Sequence, residues 1–221
     1  MNEHWRRFEV KRGLDTVQPI FDLIQGEGWI AGSYAAFMAA TYDTPILPND
    51  VDVFCKTVQG AENIAAKLRK HMHVGAFGFD ENDVAYSLLP GPRSKVQMPV
   101  QVVKPNPTWK SFPNDILESF DMDVCRAVLI SPTRVLADSN VAFRQGKILR
   151  VNNPLRSLKR VMKYNARGVT FEDHELLKLF EAWDMFSAER KAQIIAEAKP
   201  VDISWSGFWD FDEDDDYFEG E

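Results

Sequence analysis

Asp50 and Asp52 stand one residue apart in "PNDVDVF". In an extended stretch side chains alternate between faces, so both carboxylates project to one side with Cα atoms about 6 to 7 Å apart. Two negative groups that close repel each other. A divalent cation relieves the repulsion, and a hard oxygen ligand set favours Mg²⁺ or Mn²⁺ over zinc. Two such ions about 3.5 to 4 Å apart would stabilise the attacking and leaving oxygens of a phosphoryl transfer. Taken alone, the pair also suits a turn followed by a solvated strand face. Upstream, Gly32 and Ser33 separate "WIA" from "YAAFMAAT". A glycine ending a strand lets backbone amides approach a ligand closely, and a helix starting there offers unpaired donors and a positive dipole end to a phosphate. Ser33 either adds its hydroxyl to that cradle or caps the helix.

A second group of residues points to the same ligand class. From Arg144 to Arg167 the chain has eight basic residues and no acidic one. Five of them, Arg156, Lys159, Arg160, Lys163 and Arg167, follow Pro154 at helical spacing and share a face, while Leu155, Leu158 and Met162 occupy another. A cationic stripe without interspersed acids forgoes helix ion pairs and favours an anionic partner. Lys159 and Lys163 are assigned to a nucleotide triphosphate, and Arg156, Arg160 and Arg167 to a nucleic-acid or other phosphate contact.

These residues need elements to position them. "LDTVQPIFDLIQGEG" reads as a short helix, "WIAG" as a brief strand and "YAAFMAAT" as a buried helix ended before Pro45 and Pro48. "DVDVFCK" alternates with the period of a strand, and "AENIAAKLRKHM" is an amphipathic helix. "VAYSLL" and "KVQMPVQVV" flank the turn-forming "PGPRS" and suggest a hairpin; "PNDILESF" suits a short helix and "DVCRAVLI" a strand. Asn153 is placed to cap a helix that Pro154 opens and Gly168 stops, and two further helices follow in "FEDHELLKLFEAWDMF" and "AERKAQIIAEAK". Strands with interspersed helices, then helices alone, predict an α+β fold: a mixed sheet with flanking helices over 1–150, a helical segment over 151–205 and an acidic aromatic tail over 206–221.

"AGSYAAFMAATYDTPILPNDVDVF" resembles the signature of the polymerase-β-type nucleotidyltransferases: an apolar residue, Gly-Ser, a helix, then Asp-x-Asp on a strand. "VQVV", "ILESFDMDVCRAVL" and "LKRVMKYNARGV" are similar to segments of viral and phage-encoded members, so the resemblance covers about residues 20 to 170. The gap of 17 positions from Ser33 to Asp50 is longer than usual. The resemblance implies that Gly32 and Ser33 hold the β and γ phosphates of a nucleoside triphosphate and that Asp50 and Asp52 ligate Mg²⁺ or Mn²⁺. A hydroxyl of an RNA, a protein or a small molecule would attack the α phosphate. The pattern departs at the third carboxylate, whose place in "VQVV" is taken by Gln101. An amide ligates a cation weakly and cannot act as a base near neutral pH. Either Asp121 or Asp123, in "FDMDV", enters the site and completes a catalytic set with Asp50 and Asp52, or the fold is present without the catalysis.

Composition sets the frame. The formal charge of the 221 residues is −7, but the last 12, "DFDEDDDYFEGE", carry eight acidic groups and no basic one, which leaves +1 for residues 1–209. Repulsion among those acids opposes compact folding, and the aromatics among them suit docking onto a basic surface, either the Arg144 to Arg167 region or that of a partner protein. Cys55 and Cys125 sit 70 positions apart in apolar runs, as buried thiols of a reducing compartment do. No apolar run is long enough for a membrane span and the N-terminus lacks a signal-peptide core, so the expectation is a cytoplasmic protein, in the host cytoplasm if phage-encoded. "HMH" at 71–73 has no further ligands at zinc spacing, and "GAFGF" reads as a turn.

Two functions remain. One is a metal-dependent nucleotidyltransferase moving a nucleoside monophosphate onto a hydroxyl. The other is a catalytically inactive module of the same scaffold, whose tail mimics nucleic acid or recruits a partner.

Overall fold

The computed structural model describes residues 5–24, 26–40, 48–106, 113–138 and 144–197. Among these residues ten strands and seven helices follow in the order β1 (Trp5–Glu9), α1 (Leu14–Ile24), β2 (Gly28–Ala31), α2 (Ser33–Ala39), β3 (Val51–Cys55), α3 (Val58–His71), β4 (Phe79–Glu81), β5 (Ala85–Leu88) and β6 (Val100–Val103). Then come α4 (Asn114–Ser119), a 3₁₀ turn (Asp123–Cys125), β7 (Ala127–Ser131), β8 (Arg134–Asp138), β9 (Gln145–Gly146), α5 (Pro154–Asn165), β10 (Thr170–Phe171), α6 (Asp173–Met185) and α7 (Ala188–Glu197). The fold is α+β, as the pattern predicts. Eight strands form one mixed sheet in the order β1-β8-β7-β2-β3-β6-β5-β4, and β9 and β10 form a separate parallel pair. Among the described residues, β3 with β6 is the one parallel pair of the large sheet.

Alternation along the strands divides the core between the two faces of the sheet. Ile30, Val51, Val53, Val100, Val102 and Leu129 pack with Val17 and Ile20 of α1, Met38 of α2 and Ile64 and Leu68 of α3. Their neighbours Ala31, Phe54, Val103 and Val128 pack instead with Ile116 and Leu117 of α4, Val161 and Tyr164 of α5 and Leu179 of α6. The second face therefore carries α4, α5 and α6, which share a core with the sheet. Among the described residues no helix is long and apolar enough to cross a membrane.

Several boundaries differ from expectation. β3 begins at Val51, so Asp50 is the residue before the strand. "DVC" is a 3₁₀ turn, and the strand read there starts at Ala127. β5 and β6 pair antiparallel, with all of residues 89–99 between them and not merely "PGPRS". β1, β4, β8, β9 and β10 have no counterpart in the sequence reading. In α5 the buried positions are Pro154, Ser157, Val161 and Tyr164, so Leu158 and Met162 face outward. Pro45 and the acidic tail lie outside the described residues.

Candidate functional site

The site is built on the face of β3 that carries Asp52 and Phe54. Val51, Val53 and Cys55 are committed to the opposite core, so a period of two turns Asp52 toward α4 and α5. Ala31 of β2 and Gln101 of β6 flank Asp52 in register. Registered residues point to the same face, and the row continues from Gln101 to Ser87 of β5, which is buried. The place suspected of lacking a third carboxylate is thus the strand position beside Asp52, and it holds an amide.

Gly32 closes one side. It follows β2, its φ is 82°, and its amide donates to the Ala127 carbonyl at 2.9 Å. A Cβ built on it would stand 2.9 Å from Asp52 Oδ2 and 3.7 Å from Phe120 Cε1. Glycine is required here on two counts: a side chain rarely adopts that φ, and none fits beside the carboxylate. Gly32 rather than Ser33 occupies the helix cap, without a side-chain bond, and Ser33 is the first residue of α2, half-buried. The Gly-Ser corner and the Asp-x-Asp strand, 18 residues apart from Gly32 to Asp50, meet in space.

α5 supplies the opposite charge. Asn153 Oδ1 accepts from the Arg156 amide at 3.2 Å, Pro154 occupies the first turn, and the helix ends before Gly168 at φ 84°. Tyr164 packs with Cys125 behind the site, and burial pushes the Tyr164 phenol well above its usual range and the Cys125 thiol up to about 12. So anchored, the helix brings Arg160 and Lys163 within electrostatic reach of Asp52, and the turn after it brings Arg167 within reach of Asp50. Burial raises the Asp52 carboxyl well above the ordinary value, the charge of Asp50 raises it further, and Lys163 and Arg160 oppose both. Burial lowers the Arg167 guanidinium from its usual value, against the charges of Tyr164 and Asp50. Arg156 and Lys159, on the same helix, are half-buried.

The two remaining candidate acids have definite partners. Asp121 Oδ1 accepts from Arg160 Nη1 at 2.7 Å, so it anchors a cation that also acts on Asp52. Asp123 is buried, and its Oδ1 accepts from the Lys147 amide at 2.7 Å, tying the 3₁₀ turn to the strand bridge of Met122 with Ile148. Part of the anionic company expected for the basic block therefore comes from the chain itself. Phe120, which meets Phe54 edge to face with centroids 5.7 Å apart, walls the Gly32 corner and carries no motif that marks it in sequence.

Two carboxylates, one held electrostatically uncomfortable by burial and by its neighbour, and an adjacent amide offer the hard oxygens that a small divalent cation takes. Among the described residues no cluster of three or more His, Cys, Asp or Glu is placed to hold a metal. Neither a scan against protein-family models nor a search of the curated proteins returned a match.

Proposed function

We propose that the protein is a metal-dependent nucleotidyltransferase similar to the polymerase-β type, moving a nucleoside monophosphate from a nucleoside triphosphate to a hydroxyl of an RNA, protein or small-molecule acceptor. The observation that carries this reading is the contact of Gly32 with Asp52: a side chain at residue 32 would sit 2.9 Å from the carboxylate, so phosphate cradle and metal-ligating strand adjoin. Asp50 and Asp52 would hold Mg²⁺ or Mn²⁺, which when bound supplies positive charge to the phosphates. Gly32 and Ser33 would receive the β and γ phosphates. Lys163 and Arg160 are in electrostatic reach of the same carboxylate and suit the negative charge that grows on the leaving group. In the transfer the acceptor oxygen bonds to the α phosphorus, the bond to pyrophosphate breaks, and the hydroxyl proton passes to solvent, since Gln101 cannot take it. Two free, buried cysteines suit a cytoplasmic setting.

The alternative, a nucleotide-binding module of the same design without turnover, is favoured by one observation. Gln101 stands in register with Asp52 where a carboxylate would complete the set, while Asp121 and Asp123 are engaged elsewhere. Incubation with each α-labelled nucleoside triphosphate, Mg²⁺ or Mn²⁺ and total cellular RNA and protein separates the two. Label transferred by the wild type and not by Asp50→Asn/Asp52→Asn supports the enzyme. Metal-dependent nucleotide binding without transfer supports the module.

A further inference from the structure

A cleft of about 850 Å³ lies between α3 and the hairpin of β4 and β5. It opens on the face of the sheet away from Asp52. Tyr86 pairs in register with Val102, which belongs to the core under α1 to α3, whereas its neighbour Ser87 pairs with Gln101 on the Asp52 face. One wall is α3, where Glu62, Ala66, Arg69 and Lys70 fall at helical spacing on one face. The other is formed by Phe79 and Glu81 of β4 and Tyr86 of β5. A space of this size suits a small organic ligand and is more than a lone anion fills.

Charge changes sign along this cleft. Glu62 stands at one end and Arg69, Lys70 and His73 at the other, with the small Ala66 between them; Glu62 to Lys70 covers about 12 Å of helix. The Arg69 guanidinium lies over the Phe79 ring, 4.6 Å from its centroid, and Phe79 stacks on Tyr86 with centroids 6.0 Å apart. Stacking uses the face of the guanidinium and leaves its N–H donors, which lie in the plane, for an oxyanion. Arg69 and Lys70 together match the nearly two negative charges of a phosphate monoester at neutral pH. Cations in a last helical turn also complement the helix dipole, but that requires no cleft before them. His73 adds an independent sign. Met72 caps α3 and His73 takes φ 50°, a left-handed position where glycine is usual, so an imidazole is kept at the cleft against the backbone's preference. A Cβ on Gly91 would collide with the His73 carbonyl, so close packing of the chain fixes this turn. Glu62 accepts from Gln59 Nε2 and Glu81 from Lys104 Nζ, each at 3.0 Å, and a carboxylate has further lone pairs for hydroxyl or amino donors.

We propose that this cleft binds a nucleoside monophosphate unit, its phosphate on Arg69, Lys70 and His73, its base over Ala66 and Phe79, and its sugar or amino donors on Glu62. A bare phosphate would leave the apolar walls and the carboxylate unmatched. A phosphotyrosine side chain has ring and phosphate but brings no donor to Glu62. The unit is a free nucleotide or one residue of a single RNA strand. The assignment uses no residue of the Asp52 site and stands whether or not nucleotides are transferred there.

The test uses the full chain in EDTA, which silences a metal-dependent nucleotide site at Asp52. Methyl-labelled alanines locate the ligand by nuclear magnetic resonance: Ala66 lines the cleft, and Ala31 flanks Asp52. Titration with AMP should shift the Ala66 signal saturably below about 10 mM and leave Ala31 unmoved. In calorimetry adenosine and inorganic phosphate should each bind at least about tenfold more weakly than AMP, since each forgoes part of the contacts. Ala66→Leu fills the gap at an exposed position without touching a charge, and Arg69→Gln/Lys70→Gln removes two exposed cations. Each should weaken AMP about tenfold or more while the Ala31 signal stays in place. A short oligoadenylate that shifts Ala66 at lower concentration than AMP identifies the source as an RNA strand, and one that does not identifies the free nucleotide. The proposal is overturned by an unmoved Ala66, by equal shifts at Ala66 and Ala31, by phosphate binding as tightly as AMP, or by AMP affinity undiminished in both variants. Tighter binding of phosphotyrosine than of AMP overturns it too and assigns the cleft to a phosphopeptide.

Discussion

At the residue scale, the position of Asp52 is one that stability alone would not select. A carboxylate raised by burial and by a like charge two residues away costs the folded state free energy at every pH where it is ionised. For a carboxyl raised on folding, stability falls as pH climbs above the unfolded value, and a cation restores it. Asp52→Asn should accordingly raise the melting temperature in metal-free buffer at neutral pH and eliminate any further rise with Mn²⁺, read by thermal denaturation with and without the ion. A variant less stable than wild type in metal-free buffer would contradict this. Gly32→Ala combines a positive φ with a contact at 2.9 Å, and a cost of about 1 to 2 kcal/mol in urea unfolding is expected from the backbone alone. Displacement of the Asp52 carboxylate should weaken Mn²⁺ binding in the same variant.

At the element scale, two local devices hold α5 and α6 in place. Replacing Asn153 by Ala removes the side-chain acceptor of the Arg156 amide, and a loss of about 1 kcal/mol in urea unfolding is expected. Glu175, buried at the start of α6, accepts from the Ile148 amide at 2.6 Å and from Lys178 at 2.7 Å. Burial alone would raise its carboxyl, but these donors and His174 outweigh burial and hold it below the usual 4.5. A depressed carboxyl stabilises the fold above its unfolded value and loses that contribution as pH falls through the folded one. Wild type should therefore lose stability more steeply than Glu175→Gln as pH drops below about 4.5, measured by urea midpoints at a series of pH values.

The legible elements were those whose pattern and burial agree. β3 shows its period because one face meets the core and the other holds acid, and α5 shows its cap, its proline and its stop within 16 residues from Asn153 to Gly168. β8 was readable in principle, since "SPT" marks a tight turn after an apolar run, and β7 and β8 pair around it. β1 was not: it pairs on one side only, with β8, and "WRRFE" exposes three of its five residues. The orientation of α5 was also hidden, because Tyr164 and Val161 pack inward and leave Leu158 and Met162 out, the reverse of what side-chain hydrophobicity alone suggests. In the site, Gly32, Asp52 and the Arg160 to Arg167 stripe could be proposed from residue types, whereas the pairing of Asp121 with Arg160, 39 positions away, joins the segment after α4 to α5 across the chain.

At the scale of the whole molecule, both faces of one sheet are covered, and the face bearing the site needs α5 and α6 to complete its core. Sheet, α5 and α6 should therefore unfold together: urea transitions followed by far-UV circular dichroism and by intrinsic fluorescence should coincide. An earlier separate transition would show that the helices are an independent unit.

The central claim is that Asp50 and Asp52 share a divalent cation beside a triphosphate cradle at Gly32 and Ser33. Electron paramagnetic resonance of Mn²⁺ titrated with the full chain, with and without a non-hydrolysable nucleoside triphosphate, tests it without requiring turnover. The account predicts that the wild type removes free Mn²⁺ signal more strongly with the nucleotide than the nucleotide does alone, and that Asp50→Asn/Asp52→Asn loses the difference. Equal Mn²⁺ uptake by the two chains in the presence of nucleotide would contradict it.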